Sequence, residues 1–86
     1  MNQNDIMRHV NALPNRFADR LDISGLDDVR DAAHAGEWGE ALDILLAGLI
    51  KSQVTVTADE RDELWSLLTA MGMATDPIGR LNVGTT

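Results

Sequence analysis

Several residue types are scarce in this chain, and their scarcity excludes whole classes of function. Cysteine is absent, which rules out disulfides and thiolate chemistry. Only 7 lysines and arginines face 14 acidic residues, so the chain offers no basic patch for nucleic acid or an anionic membrane. No apolar run is long enough to span a bilayer, and the opening MNQNDIMRHV lacks the features of a signal peptide. A cytoplasmic protein that binds neither nucleic acid nor membrane is expected.

The length and the net charge describe what is present. A chain of 86 residues is expected to form one domain with one modest core. Its net charge of −7 favours a basic protein partner, although acidity that serves only solubility is the alternative explanation.

Helical periodicity dominates the first half of the sequence. Apolar residues at three- and four-residue spacing predict a helix from about residue 4, and Pro14 predicts a break near Ala12. Ser24 is the predicted N-cap of a second helix, with Asp27 and Asp28 in its first turn and Gly36 at its end.

The second half predicts two more helices joined by an extended connector. A largely apolar helix from about Glu37 to Lys51 is expected at the centre of a bundle. Val54 and Val56 alternate with polar residues, and Thr57 and Glu60 have the spacing of a capping box. The helix that follows, to about Gly72, is expected to turn inward Leu64, Trp65, Leu68 and Met71.

These patterns predict an all-α fold, a compact bundle of about four helices with a short extended connector before the last long helix. A single helical domain over residues 1–73 and a loosely ordered C-terminal tail over residues 74–86 are expected, with one short turn at Asp76-Pro77.

Residues that could support catalysis or hold a cofactor are few. His34-x-x-Glu37 has the helical spacing of di-metal sites, but a second histidine motif is lacking and Gly36 interrupts it. No nucleophile has an evident base, and no glycine-rich phosphate loop occurs. We therefore expect no enzyme activity, no cofactor and no metal.

The acidic residues are the remaining candidates for function. Each could be part of a solvated helix face, or together they could bind a basic partner. The first candidate set comprises Asp27, Asp28, Asp31, Glu37, Glu40 and Asp43, and the alternative face comprises Asp59, Asp62 and Glu63.

One stretch carries a family resemblance. The turn Gly36-Glu37-Trp38 is followed by Ala41, Leu42, Asp43 and Leu45, and then by Val54, Val56, Thr57 and the segment 64–72. In this order, over about residues 26–73, the chain resembles small bacterial immunity proteins of the Maf type, which belong to polymorphic toxin and contact-dependent inhibition systems. It departs from them at Leu46, Ala47 and Gly48, where polar residues or cysteine would be expected.

The resemblance implies a binding protein that neutralises a cognate toxin domain, expected to be a basic nuclease, by a tight complex over or near its active site. Trp38 is then either a core residue or an interface anchor. The alternative is an acidic carrier-protein-like or adaptor domain. A carrier would use Ser24, but the Asp-Ser-Leu setting is replaced by Ile23-Ser24-Gly25. The sequence leaves the oligomeric state open.

Overall fold

The computed structural model describes residues 1–84 and confirms an all-α bundle of four helices. The helices are α1 (Gln3–Arg16), α2 (Ile23–His34), α3 (Trp38–Ser52) and α4 (Ala58–Ala70). A short strand β1 (Thr55–Val56) precedes α4, and a 3₁₀ helix (Asp76–Arg80) and a strand β2 (Asn82–Val83) follow it.

The expected break in α1 is wrong, because the helix continues through Pro14 to Arg16. Pro14 lies in the last turn, where its missing N–H removes only one bond near the end of the ladder. The Phe17 amide donates to Leu13 O at 3.0 Å, so the ladder continues past the proline, which is itself buried. Asn2 and Asp5 form a capping box at the start of the helix.

The predicted cap of α2 is also wrong. Asp22, not Ser24, is the N-cap, and its carboxylate accepts a hydrogen bond from the Gly25 amide at 2.7 Å. The helix therefore starts earlier than expected, and Asp27 and Asp28 lie beyond its first turn.

The central position of α3 agrees with its apolar sequence. Five of its residues are buried in the core: Ala41, Leu42, Leu45, Leu46 and Leu49. Trp38 is half-buried and packs against the core cluster. The C-cap of α3 is Gln53, which adopts the left-handed conformation with φ +53°. α2 packs more extensively against α3 than α1 does.

The predicted start of α4 is confirmed, but the prediction that Trp65 faces inward is wrong. Thr57 and Glu60 form the predicted capping box. The buried stripe runs through Leu64, Leu67 and Leu68, whereas Trp65 is 49% exposed. Trp65 lies outside the arc that the three- and four-residue spacing of this stripe defines.

Ordered elements replace the loose tail over residues 76–83. The 3₁₀ helix begins at the expected Asp76-Pro77 turn and contacts α3 and α4. Leu81 joins the core, and β2 pairs in parallel with β1, in the register Thr55 with Asn82 and Val56 with Val83. The Gly84 amide donates to Val56 O at 2.8 Å and Asn82 Nδ2 donates to Gln53 O at 3.2 Å, and these bonds hold the tail against the connector. Residues 85–86 lie outside the described residues.

Candidate acidic interface

The turn between α2 and α3 brings the first set of acidic residues together. Gly36 adopts φ +77°, a left-handed conformation that glycine reaches without steric cost, and so ends α2 as predicted. The Gly36 amide donates to Ala33 O at 3.1 Å and the Glu37 amide to Ala32 O at 2.9 Å. These two bonds form a Schellman motif that sets the start of α3 beside the end of α2.

Four of the six predicted acids of this set line one shallow depression. Asp28 and Asp31 from α2 face Glu37 and Glu40 from the start of α3. The depression measures about 250 Å³, and apolar groups complete its lining: Ala32, Ala35 and Ile44. The structure therefore joins acids that are up to twelve residues apart in the sequence.

The other two acids of the set lie outside the lining. Asp27 is exposed and stands 3.6 Å from the Arg30 guanidinium. Asp43 is exposed on α3, close enough to contribute to the electrostatics of Glu40.

The acids of this set influence one another most clearly at Glu40. Hydrogen bonding with Glu37 raises the pKa of the Glu40 carboxyl, and the charges of Glu37 and Asp43 raise it further. Within residues 1–84, no lysine, arginine or histidine nitrogen lies within 4.0 Å of the carboxylates of Asp28, Asp31, Glu37, Glu40 or Asp43. This negative charge is therefore left without a close counter-charge.

Of the alternative acidic face on α4, only Glu63 forms an ion pair with another element of the chain within residues 1–84. Glu63 accepts a hydrogen bond from Arg16 at 3.0 Å, and its carboxylate lies 3.7 Å from His9 Nδ1. Asp62 pairs with its neighbour Arg61 at 3.1 Å. Asp59 is exposed in the first turn of α4, where an anion complements the helix dipole. The structure does not bring these three acids into a depression with the first set.

A buried ion pair beside this face was missed by sequence reasoning. Arg20 donates to both carboxylate oxygens of Glu60, at 2.5 and 2.6 Å, and to Arg16 O at 2.9 Å. Its guanidinium also stacks on Phe17, 4.7 Å from the ring centre. Glu60 is only 6% exposed, and hydrogen bonds from Arg20 lower its pKa to about 2. The capping box located Glu60, but no local signal linked it to a residue 40 positions away.

A second depression was also not anticipated. It lies between the start of α2 and the end of α3 and measures about 440 Å³. Its lining comprises Leu21, Asp22, Ser24, Gly25, Ile44, Gly48, Lys51 and Ser52.

Among residues 1–84, no group of three or more histidine, cysteine or acidic side chains is arranged to hold a metal ion. His34 is exposed at the end of α2. None of the described helices is long and apolar enough to cross a membrane.

Comparisons with protein-family models, with curated proteins and with solved structures return no match. The resemblance to Maf-type immunity proteins therefore stays a prediction that depends on the motifs quoted above.

Proposed function

We propose that the chain is an immunity protein that binds and neutralises a cognate bacterial toxin domain, with a basic nuclease as the expected partner. The observation that carries the proposal is the unpaired acidic depression of Asp28, Asp31, Glu37 and Glu40. Nuclease domains present cationic grooves to phosphates, and a complementary anionic surface speeds their encounter and fixes its register.

The comparison between the two acidic faces favours α2 and α3 as the contact surface. Glu63 and Asp62 already have cationic neighbours within the chain, so a partner would compete with those contacts. The acids of the depression have no such competitor within residues 1–84, and a partner's cation would relieve the repulsion that raises the pKa of Glu40. The Maf-type resemblance supports the same class of function, and Glu37 of its Gly36-Glu37-Trp38 turn lines this depression.

The first experiment is co-expression with the products of the neighbouring genes, one of which is expected to encode the toxin domain. We expect the two proteins to co-purify as a complex and the toxin's effect on growth to be suppressed. If neither neighbouring gene product binds or is suppressed, the immunity function is refuted.

A matched pair of variants then tests the surface. The double variant Glu37→Gln/Glu40→Gln and the double variant Asp59→Asn/Asp62→Asn change the net charge equally. At low salt, the first should slow association with the toxin domain by about tenfold, whereas the second should have a much smaller effect. Equal slowing by both would mean that overall charge, rather than this face, steers the complex.

A second candidate, a carrier domain, is favoured by one observation. Ser24 is exposed in the first turn of α2, where an attached prosthetic arm would have room. Intact mass measurement of the protein expressed with a phosphopantetheinyl transferase decides this. A phosphopantetheine adduct on Ser24 would support the carrier function, and unmodified protein would refute it.

A further inference from the structure

The two depressions between α2 and α3 adjoin each other at one shared lining residue. Ile44 lines both, since it lies on the outer face of α3 midway between the acidic residues and Lys51. The start of α2 borders the end of α3 in one depression, and the end of α2 borders the start of α3 in the other. The helices are therefore antiparallel, and we call the combined feature the α2–α3 groove.

The middle of this groove is apolar. Ile44 is half-buried, with part of its side chain open to the groove. Leu21, from the segment before α2, leans across Gly48, where an added Cβ would lie only 2.9 Å from Leu21 Cδ2. The absence of a side chain at Gly48 thus lets Leu21 approach α3 and form apolar floor beside Ile44.

The charge is unevenly distributed along the groove. Four carboxylates lie at one end, and the Lys51 ammonium lies at the other. Asp22 also borders the second end, where its carboxylate accepts from the Gly25 amide and offsets the charge of Lys51, so only the first end carries a net negative charge. From Glu37 to Lys51 the groove follows α3 for about 21 Å, at 1.5 Å per residue.

We propose that the α2–α3 groove receives an amphipathic helix of the protein partner. The helix is about 14 residues long, from the 1.5 Å rise per residue. It has lysine or arginine at the end over Glu37 and Glu40, apolar side chains over Ile44, and no cation beside Lys51. This inference rests on the proposed function and specifies how the partner binds. A groove between two antiparallel helices accepts a third helix by interlocking of side-chain ridges, and an apolar stripe at three- and four-residue spacing would meet Ile44 and Leu21.

A peptide probe tests the groove without the toxin. The probe is a 14-residue, alanine-based peptide, held helical by a hydrocarbon staple, with three lysines at one end and two leucines in the middle. One control peptide has the same composition with its lysines evenly distributed, and a second replaces both leucines with serine. Titration into the full chain is followed by the backbone amide signals in NMR spectra.

We expect the probe to shift the amide signals of Glu40, Ile44 and Gly48. We also expect the chain to bind the probe with an affinity about tenfold above that for either control peptide, because the position of the charges and the apolar contact are both needed. Equal affinity for the three peptides would overturn it, as would shifts confined to α1 and α4.

A variant of the chain gives the second measurement. Ala35→Arg places a cation inside the acidic end, whereas Ala12→Arg makes the same change on the exposed side of α1. We expect only Ala35→Arg to weaken binding of the probe and of the toxin domain. A toxin complex that forms unchanged with Ala35→Arg would overturn the groove inference and leave the immunity function standing. A probe that binds the groove while no toxin is neutralised would refute the immunity function and leave the groove as a binding site for a helix.

Discussion

The ion pair between Arg20 and Glu60 predicts a specific dependence of stability on pH. Its two hydrogen bonds join the segment after α1 to the first turn of α4, and Glu60 also accepts from the Thr57 amide at 2.8 Å. The pKa of Glu60 falls from 4.5 to about 2 in the folded chain. Because the pKa of Glu60 is lower in the folded chain than in the unfolded chain, the ionised carboxylate stabilises the fold at pH values above about 4.5. This stabilisation is lost as the pH falls from about 4.5 toward 2.

The size of this effect follows from the shift. A difference of about 2.5 pKa units corresponds to about 3 kcal/mol of unfolding free energy at pH 7, of which about 2 kcal/mol would remain at pH 3.5. Glu60→Gln removes the charge while keeping the shape, so it should lower the unfolding free energy by about 3 kcal/mol at pH 7. The deficit relative to the natural chain should then shrink as the pH is lowered.

Urea unfolding followed by circular dichroism, repeated between pH 7 and pH 3, measures the unfolding free energy of the variant and its dependence on pH. Asp62→Asn is the matched control, because Asp62 lies on the same helix in an exposed pair with Arg61 and should change stability by less than about 1 kcal/mol. The reasoning is refuted if Glu60→Gln is as stable as the natural chain at pH 7, or if its deficit does not vary with pH.

Three further predictions concern the turns, the tryptophans and the acidic depression. Gln53→Gly should raise the unfolding free energy by about 1 kcal/mol and Gly36→Ala should lower it by about 1 kcal/mol, because both positions have left-handed backbone. Thermal denaturation checks this, and the same sign for both variants would contradict it. Trp38→Ala should cost about 2–3 kcal/mol and Trp65→Ala less than about 1 kcal/mol, since only Trp38 packs on the core. Equal losses in chemical denaturation would count against this assignment. Glu37→Gln should bring the pKa of Glu40 back toward its ordinary value, as followed by carboxyl-carbon NMR, while Asp62→Asn leaves it unchanged.

Local patterns were sufficient to predict the four helices. The bounds of α3 and the capping box of α4 depend on residues within one or two turns of each other, so the sequence displays them directly. The cap of α2 was misplaced because Asp22 and Ser24 are both good N-cap residues, and only the observed bond to Gly25 distinguishes them.

Features that join distant parts of the chain could not be predicted in this way. The pairing of β1 with β2 links residues 27 positions apart, and each strand has only two residues, too few for a period to show. The sequence predicted the acids of the depression but not their arrangement. Only the packing of α2 against α3 shows that Glu37 and Glu40 line the depression, whereas Asp27 lies outside it and pairs with Arg30.

The placement of the cations explains why the two acidic faces differ in what they can do. Arg16 and Arg20 come from α1 and the segment after it, next to α4, so Glu60 and Glu63 stabilise the fold through contacts within the chain. Between residues 23 and 52, six acids are accompanied by only two basic side chains, and one of these, Lys51, lies at the far end of the groove. Glu60 and Glu63 of α4 are therefore explained by contacts within the fold. Asp28, Asp31, Glu37 and Glu40 of the depression have no close counter-charge within residues 1–84, and a cationic partner would supply one.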